Sequence, residues 1–468
     1  MQKVFLIVFT ICFFNASAQD LPQKLNNAVT NFLKDEQLKH AIVSLYVTDE
    51  KGNKVFALNE QYGLAPASTQ KIFTSIAAFG LLGKDFSYKT EIGYSGNIDN
   101  GNLNGNIIIK GYGDPTFGSW RYTSTQPDSI LNFIIHSIQN EGIKIINGNI
   151  VLDDGAFEYN ATPGGYMWED MGNYYGSGSW AINWRENQYD IFLKPGKNIG
   201  DSTTILRTEP KLIIDSYKNF ITTAAEKTGD NTILYLPLYG KELFAEGTIP
   251  KGENEFKISG AVGYAADQLK EELGESLSKN DITFTGEIVS GKSFIKQDKK
   301  IPSSTNSIAT YTSPTLDSIV YWFLQKSINL YGECLLKTIA YKQDNNGSTT
   351  SGVADLKKFY QQNGIDSSAI NLEDGSGLSP QNHVTTFAMA KALLYAQQQN
   401  WFPGFYNALP VYNNMKLKSG TINSVKAFAG YNTASDSKKY VVAFIVNNYD
   451  DSKGSITSKM FKVLDALK

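Results

Sequence analysis

Helical and strand-like hydrophobic patterns follow one another along the N-terminal part of the chain. Apolar residues recur at helical spacing over 21–39, which predicts a helix. The stretch AIVSLYVTDEKGNKVFALN alternates apolar and polar residues on both sides of a turn at 49–53, a pattern typical of a β-hairpin. A nearly continuous apolar run then starts beside Lys71, in LAPASTQKIFTSIAAFGLLG, and predicts a buried helix that begins near Ser68.

Residues 88–289 have a different pattern. Short apolar stretches such as NLNGNIIIKGYGDP, INGNIVLDDGAF and YDIFLKPG are separated by Gly, Asn and Asp, which predicts short strands joined by turns. Helical spacing interrupts them only at 128–140 and 265–277. We interpret this region as a β-rich insertion.

The pattern becomes helical from Ser307. The stretch SPTLDSIVYWFLQKSINLYGECLLKTIAYKQ holds two apolar-periodic segments that separate near Ser327, and further helices are predicted at 352–362 and 385–399. The chain ends in three strand patterns, MKLKSGT, VKAFAGYNT and KKYVVAFIVNNYD, and a helix from about Ser455. Strands near both ends with helices between them predict one sheet that both chain ends complete.

Composition and charge narrow the class of protein. The 468 residues carry 43 Lys and Arg against 46 Asp and Glu, a formal net charge of −3 without the basic excess of a nucleic-acid-binding protein. A hydrophobic content of 41% over this length is enough for two or three folded domains. We therefore expect a globular protein with no nucleic-acid partner.

The N-terminus, MQKVFLIVFTICFFNASAQD, reads as an export signal. One lysine precedes an apolar core from Val4 to Phe14, and Ala16-Ser17-Ala18 follows as a small-x-small cleavage site. We predict a signal peptide over 1–18, hence a periplasmic protein with at most peripheral membrane association. The alternative is an uncleaved anchor, although the apolar core is well short of the roughly 20 residues that span a bilayer.

The chemistry available to the chain is restricted by its few histidines and cysteines. The three histidines are His40, His136 and His383, none of them in an H-E-x-x-H frame. Of the two cysteines, Cys12 lies in the predicted signal and Cys334 is alone, so neither a disulfide nor a cysteine-rich zinc site is expected. There is no G-x-S-x-G nucleophile elbow. We expect no metal and no cofactor.

A serine nucleophile without a suitable histidine needs another base, and lysine is the candidate. A lysine accepts a proton only when neutral, and burial beside a second cation favours the neutral amine. Ser68 and Lys71 form an S-x-x-K string, and Lys418 in KLKSGT offers the second cation. Ser68 alone has two readings, helix N-cap or nucleophile.

Three short motifs occur in a characteristic order. Ser68-x-x-Lys71 comes first, Ser327-x-Asn329 follows, and Lys418-Ser419-Gly420 comes last, with Thr421 after it. This is the S-x-x-K, S-x-N, K-[ST]-G order of the active-site serine enzymes that recognise penicillin. Each motif alone is weak, but the set in order is specific. Gly420 would let its strand edge approach a ligand closely.

With these motifs the sequence resembles the low-molecular-mass class C penicillin-binding proteins, the D-alanyl-D-alanine carboxypeptidases/endopeptidases of the penicillin-binding protein 4 type. The segments KGYGDPTF, INGNIVLDDGAF, SINLYGECLLK, LEDGSGLSPQNHVTT and LKSGTINSVKAFAGY extend the resemblance over most of the chain. It implies an α/β (α+β) fold: a serine β-lactamase/transpeptidase-like domain, in which helices flank an antiparallel sheet, over 19–84 and 301–468. Residues 85–300 would form the β-rich insertion, with two subdomains.

The resemblance also implies a mechanism. Ser68 would attack a D-Ala-D-Ala amide while Lys71 takes its proton, and Ser327 would relay a proton to the leaving amine. Asn329 would bind Lys71 and the substrate backbone, and Lys418 would supply positive potential. The hydroxyls of Ser419 and Thr421 would bind the terminal carboxylate, with the oxyanion between the backbone N–H groups of Ser68 and Thr421.

Two further segments each have a simpler alternative explanation. Asp170, in GYMWEDMGNYYGSGSW, resembles a family acid that reaches from the insertion toward the diamino acid of the peptide, and the equal alternative is a solvated loop acid. The DGSGLS run, 374–379, is better explained as a turn near the cleft than as a catalytic element.

The sequence therefore predicts an exported serine peptidase. Its substrates would be peptidoglycan stem peptides or their cross-links, and β-lactams would be covalent inhibitors. The alternatives are a non-catalytic peptidoglycan-binding scaffold and a β-lactamase. Ser327 follows Ser68 by 259 positions, which disfavours the β-lactamase because enzymes of that kind have a far shorter gap.

Overall fold

The computed structural model describes residues 20–468, so the predicted signal peptide lies outside the described residues. The helices of this part of the chain are α1 (Leu21–Phe32), α2 (Lys71–Leu82), α3 (Pro127–Asn140), α4 (Trp168–Met171), α5 (Ala265–Lys279), α6 (Gly291–Ile295), α7 (Leu316–Gln325), α8 (Asn329–Asp344), α9 (Thr349–Gln362), α10 (Thr386–Gln397), α11 (Phe402–Ala408) and α12 (Ile456–Leu464). None of them combines the length and apolar character that crossing a membrane would require.

The strands divide between the two ends of the chain and its middle. They are β1 (Ile42–Asp49), β2 (Lys54–Leu58), β3 (Ser87–Asp99), β4 (Asn102–Gly111), β5 (Ile145–Ile146), β6 (Ile150–Asp153), β7 (Gln188–Lys194), β8 (Thr204–Glu209), β9 (Ser216–Ala224), β10 (Asn231–Tyr235), β11 (Glu242–Pro250), β12 (Phe256–Ala261), β13 (Thr283–Phe284), β14 (Ile288–Ser290), β15 (Asn306–Thr315), β16 (Ile370–Asn371), β17 (His383–Val384), β18 (Val411–Tyr412), β19 (Met415–Ile422), β20 (Val425–Thr433) and β21 (Lys439–Asn447).

One antiparallel sheet joins the two ends of the chain. Its six strands lie in the order β18-β19-β20-β21-β1-β2, so the N-terminal hairpin pairs with the C-terminal strands through β1 and β21. Both faces of the sheet are covered. Helices α1 and α12 pack on one face around Phe444, while α2 and α10 pack on the other around Ile445. Adjacent residues of one strand point to opposite faces, which is why a nearly continuous apolar β21 is needed here.

Between α2 and α7 the chain forms further sheets around a separate apolar core. A seven-stranded sheet contains β3, β4, β5, β6, β13, β14 and β15, and two three-stranded sheets have the orders β10-β11-β9 and β12-β7-β8. Trp180 and Trp184, both fully buried, lie in the core that these sheets share with α3 and α5. The observed architecture confirms the predicted fold class, an antiparallel sheet flanked by helices with a large β-rich insertion.

Two predicted elements differ in extent. The segment 306–315 was expected to start the helical part, but it forms strand β15 and pairs with β3. Its β-branched residues Ile308, Thr310 and Thr312 favour a strand, and the free edge of β3 supplies the partner. The N-terminal helix ends at Phe32 rather than near residue 39, because a short 3₁₀ turn capped by the Asp35 side chain follows it.

The division of the chain at 84/85 and 300/301 stays a prediction, as does the number of subdomains in the insertion. Strand β15 follows the second of these boundaries yet pairs with β3, which follows the first. The returning chain therefore forms an edge strand of the insertion's sheet before it enters α7.

Candidate active site

Ser68 lies in a tight turn that leads directly into α2. Ala67 adopts a left-handed backbone conformation, with φ of 46°, and a 3₁₀ turn over Ala67–Gln70 continues as the helix. Left-handed backbone is costly for a residue other than glycine and persists where the surroundings impose it, often at functional sites. No side chain caps the 3₁₀ turn or α2. The hydroxyl of Ser68 is therefore free of the N-cap role that its position allowed.

Lys71 lies one turn further along and is fully buried. Its Nζ is 3.0 Å from Ser68 Oγ, 2.6 Å from Asn329 Oδ1 and 2.7 Å from the carbonyl oxygen of Ser376. Burial lowers the pKa of Lys71 to about 7, and the nearby Asp374 and Glu333 oppose part of this shift. A substantial fraction of Lys71 is thus neutral near pH 7, as a proton acceptor must be.

A second lysine lies on the six-stranded sheet that joins the two chain ends, which we call the central sheet. Lys418 on β19 is buried, and its Nζ donates to Ser327 Oγ at 3.0 Å and to the carbonyl of Ser419 at 2.8 Å. Burial, with the positive charges of Lys71 and Lys426, lowers the pKa of Lys418 well below its ordinary value. Ser327 occupies the connection between α7 and α8 with a left-handed φ of 57°. The three motifs of the sequence thus meet at one place.

Strand β19 lies against the Ser68 turn with no room for a side chain at Gly420. A Cβ there would be 2.5 Å from the carbonyl oxygen of Pro66 and 2.9 Å from the backbone N of Ser68. The close approach expected of this glycine is present. Ser419 is half-buried and Thr421 is exposed, and the Thr421 hydroxyl accepts a hydrogen bond from Lys426 Nζ at 2.7 Å.

These residues open onto a cleft of about 640 Å³ between the central sheet and the insertion. Ser68, Ser327, Asn329 and Thr421 line it, and Asp170 lines it from α4. The insertion also contributes Glu169 and Arg121 and several large side chains, which are Met167, Tyr174 and Tyr175. Burial and the adjacent Glu169 raise the pKa of the Asp170 carboxyl, against a hydrogen bond from Tyr175. Five of the candidate site residues thus line one cleft, and the two lysines contact Ser68 and Ser327 from behind it.

Sequence reasoning missed a buried acid behind Lys71. Glu333 lies one helical turn after Asn329 on α8 and is 1% exposed. One oxygen of its carboxyl group accepts from the backbone N of Gly375 at 2.9 Å and the other from the hydroxyl of Tyr166 at 3.1 Å. Burial and the nearby Asp374 raise the pKa of Glu333. The available signal was a glutamate four residues after Asn329 in an otherwise apolar helical run.

The DGSGLS segment is a turn, as expected, and it also holds Lys71. The buried carboxylate of Asp374 accepts from the backbone N–H groups of Ser376, Gly377 and Ser379 at 3.1, 2.7 and 2.7 Å. This network fixes the carbonyl of Ser376, which accepts from Lys71. The segment therefore positions a catalytic candidate through its backbone.

In residues 20–468, no group of three or more His, Cys, Asp and Glu side chains lies together in a way that could hold a metal ion. Cys334, the cysteine within that range, is buried and unpaired by a disulfide.

Comparison with known proteins relates this arrangement to one family. Residues 25–413 match the model of the D-Ala-D-Ala carboxypeptidase 3 (S13) family. The chain is 25% identical to the D-alanyl-D-alanine carboxypeptidase DacB of Haemophilus influenzae, with 96% of this chain and 91% of that protein covered. It is 23% identical to a D-alanyl-D-alanine carboxypeptidase of Actinomadura sp. (strain R39), with 87% and 78% covered.

Solved structures share the fold. The crystal structure of penicillin-binding protein 4 from Haemophilus influenzae matches with a TM-score of 0.79 at 23% identity and covers 93% of this chain and 98% of its own. A structure of that protein complexed with a β-lactam matches with a TM-score of 0.73 at 21% identity, with coverages of 93% and 97%.

Proposed function

The chain belongs to the D-Ala-D-Ala carboxypeptidase 3 (S13) family, and from that premise we propose that Ser68 is the nucleophile with which it cleaves peptidoglycan stem peptides. The family membership confirms the resemblance stated from the motifs and makes the protein a serine-type D-alanyl-D-alanine carboxypeptidase. The observation that carries the assignment of the site is the contact of Ser68 Oγ with a buried Lys71 whose pKa is near neutrality.

Acylation begins with a proton transfer over a short distance. Neutral Lys71 accepts the proton of Ser68 across 3.0 Å, and Ser68 Oγ attacks the carbonyl carbon of the D-Ala-D-Ala amide. Asn329 Oδ1 and the carbonyl of Ser376 orient the amine of Lys71, which restricts it to one approach. The backbone N–H groups of Ser68 and Thr421 are the candidate donors to the oxyanion, and donors of this kind contribute about 3–4 kcal/mol each.

The second serine–lysine pair, Ser327 and Lys418, assists the departure of the terminal D-alanine. Ser327, held by Lys418 at 3.0 Å, lies in the cleft beside Asn329 and relays the proton to the leaving amine. The hydroxyls of Ser419 and Thr421 bind the terminal carboxylate, and Lys426, whose Nζ is 2.7 Å from the Thr421 hydroxyl, complements its charge. Water then hydrolyses the acyl-enzyme. A β-lactam carries a strained amide of the same kind, so it acylates Ser68 as well.

Digestion of purified muropeptides, with the products identified by mass, tests the substrate assignment. Loss of one D-alanine from pentapeptides is expected for the carboxypeptidase, and conversion of cross-linked dimers to monomers would add endopeptidase activity. Unchanged muropeptides would favour the non-catalytic scaffold. Rapid and repeated turnover of a chromogenic β-lactam would favour the β-lactamase.

Asp170 is proposed to bind the side-chain ammonium of the diamino acid in the stem peptide. The support is its place on the cleft wall that holds Ser68, half-buried and with no cation paired to it in the described part of the chain. Asp170→Asn is expected to raise KM about tenfold for peptides with a free ammonium, since a charged hydrogen bond contributes about 1.5 kcal/mol. The kcat and penicillin acylation should not change, because the acylating groups are untouched.

The neighbouring acid provides the control for Asp170. Glu169→Gln removes an equal charge from an exposed side chain of the same helix, so its effect on KM should be smaller. Equal KM values for Asp170→Asn and wild type would assign Asp170 to the solvated loop, the alternative already named.

Glu333 is expected to set the pH at which Lys71 becomes neutral. Its negative charge raises the pKa of Lys71, as does that of Asp374, while burial lowers it. Glu333→Gln should therefore lower the pKa of Lys71 further. Since the protonated amine cannot act as a base, the rate of acylation decreases as the pH falls below the pKa of Lys71. This decrease, the acid limb of the pH profile, should therefore lie at lower pH in the variant. The measurement is the pH profile of the second-order rate constant for penicillin acylation.

Tyr166→Phe is the matched control for Glu333. It removes the hydroxyl that donates to Glu333 but no charge, so its acid limb should stay closer to that of wild type. A Glu333→Gln rate lowered by one factor at all pH values would show that Glu333 acts on structure alone.

The proposal includes export to the periplasm, where its substrate lies. It is supported by the signal-like N-terminus, which is outside the described residues. The N-terminal residue of the protein purified from the periplasm, determined by mass spectrometry, tests cleavage after Ala18.

A further inference from the structure

The three-stranded sheet β10-β11-β9 exposes aromatic side chains to solvent. Leu234, Leu243 and Ile221 on its inner face are buried in the core of the insertion. On the outer face, Phe220 is 62% exposed and Phe244 is 36% exposed. A sheet face open to water is ordinarily polar, and adjacent exposed apolar side chains are typical of a binding surface.

Strand register places these side chains in one row. Tyr235 is paired with Phe244 across β10 and β11, and Phe220 is paired with Glu246, two residues beyond Phe244 on the same face. The rings of Tyr235 and Phe244 are stacked with centroids 4.4 Å apart, and Trp168 of α4 continues the row, 5.8 Å from Tyr235. We call Trp168, Tyr235, Phe244 and Phe220 the aromatic row.

The aromatic row begins at the active-site cleft. Trp168 is 46% exposed, and its neighbours Met167, Glu169 and Asp170 line the cleft that contains Ser68. Asn173, just after α4, ties the helix to the sheet, because its Oδ1 accepts from the backbone N of Leu234 at 3.3 Å while its Nδ2 donates to the carbonyl of Glu169 in α4 at 2.7 Å. A ligand that extends from Ser68 past Asp170 therefore reaches Trp168 and then the outer face of the sheet.

We propose that the aromatic row binds the glycan strand to which the stem peptide is attached. This inference rests on the proposed function, which sets the direction of the substrate. With the terminal D-alanine at β19 and the diamino acid at Asp170, the N-terminal end of the peptide points toward α4. That end is joined to the amino sugar, so the polysaccharide leaves the cleft on the side where the aromatic row starts.

The chemistry of the surface suits such a polymer. Pyranose rings present a face of C–H groups that packs against the electron-rich face of an aromatic ring. Phe220 is 62% exposed, so its ring is accessible to a sugar. Lys218 and Glu246, both exposed on the same face, can hydrogen-bond to hydroxyl and acetamido groups. Their opposite charges leave the surface without a net attraction for a polyanion.

The test compares two double variants with wild type. Phe220→Ser with Phe244→Ser removes half of the aromatic row. Val411→Ser with Tyr412→Ser is the matched control, because these residues of edge strand β18 are 62% and 36% exposed, equal to the first pair, and do not line the cleft. Binding of peptide-free glycan strands is measured by calorimetry, and hydrolysis is measured on a short D-Ala-D-Ala peptide and on intact peptidoglycan. The oligomeric state is determined by analytical ultracentrifugation.

We expect the first pair to weaken glycan binding at least tenfold and to slow hydrolysis of intact peptidoglycan by a similar factor. Its hydrolysis of the short peptide should stay within twofold of wild type, and the control pair should match wild type throughout. Equal glycan binding by all three proteins would overturn the inference. A wild-type dimer that only the first pair dissociates, with glycan binding unchanged, would assign the surface to a second copy of the chain. Failure of wild type to hydrolyse the short peptide would instead count against the proposed function.

Discussion

Replacing Ser68 by alanine is expected to abolish covalent labelling by a fluorescent penicillin and to remove peptidase activity. Among the described residues, Ser68 Oγ is the serine hydroxyl in contact with Lys71 Nζ, so its removal leaves that base without a nucleophile. Loss of a serine nucleophile that acts with its base lowers kcat by a factor on the order of 10⁶ in a well-studied serine protease. Gel fluorescence after incubation and intact-protein mass both report the acyl-enzyme.

A second serine of the same helix provides the control for Ser68→Ala. Ser75 is buried on α2, and its hydroxyl has no hydrogen-bond partner in the described part of the chain. Ser75→Ala should be labelled like wild type, because removing an unsatisfied buried hydroxyl is neutral or stabilising. Both variants should melt close to wild type. Labelling of Ser68→Ala at the wild-type rate would move the nucleophile to another residue.

Replacing Lys71 by methionine is expected to slow acylation by about 10³-fold to 10⁴-fold, near the upper end of what general-base catalysis contributes. Methionine keeps much of the buried volume but cannot accept a proton. In wild type the rate should rise with pH through the pKa of Lys71 at about 7, since the neutral amine is the active form. The methionine variant should lose that rise, which stopped-flow measurement of acylation between pH 5 and 9 would detect.

The Lys71→Arg variant distinguishes two possible roles of Lys71, that of a proton acceptor and that of a fixed positive charge. Arginine stays protonated in proteins, so it preserves the charge and removes the base. We expect Lys71→Arg to be as slow as Lys71→Met, with thermal melting used to confirm that both variants are folded. Recovery of the wild-type rate by arginine would mean that Lys71 acts as a cation and that another group takes the proton.

Much of the site was predictable because its candidate catalytic residues occur in short sequence motifs. Ser68 and Lys71 are one helical turn apart, so their contact follows from local geometry alone. Lys418 and Ser327 are far apart in the chain, and only the order of motifs shared with a family indicated that both belong to the site. The β-hairpin and most helices were also predicted, since their hydrophobic periods are strong.

The groups behind the motifs could not be predicted from local pattern. Glu333 looks like an ordinary helical glutamate until α8 is packed against the loop at Gly375, where its carboxyl group is buried and hydrogen-bonded. Strand β15 was assigned to the helical part because its partner, the edge of β3, lies more than two hundred residues earlier. Burial and strand pairing of this kind depend on contacts between distant segments.

The sequence by itself determined the class of chemistry, a serine nucleophile activated by lysine, and an antiparallel sheet built from both chain ends. These follow from residue types, their spacing and the period of apolar positions, which are local properties. Only the tertiary structure decided the charge state of Lys71, because desolvation and the charges of Asp374 and Glu333 act through space. It also decided that Asp170 and the aromatic row adjoin one cleft, since the insertion must fold against the central sheet to bring them there.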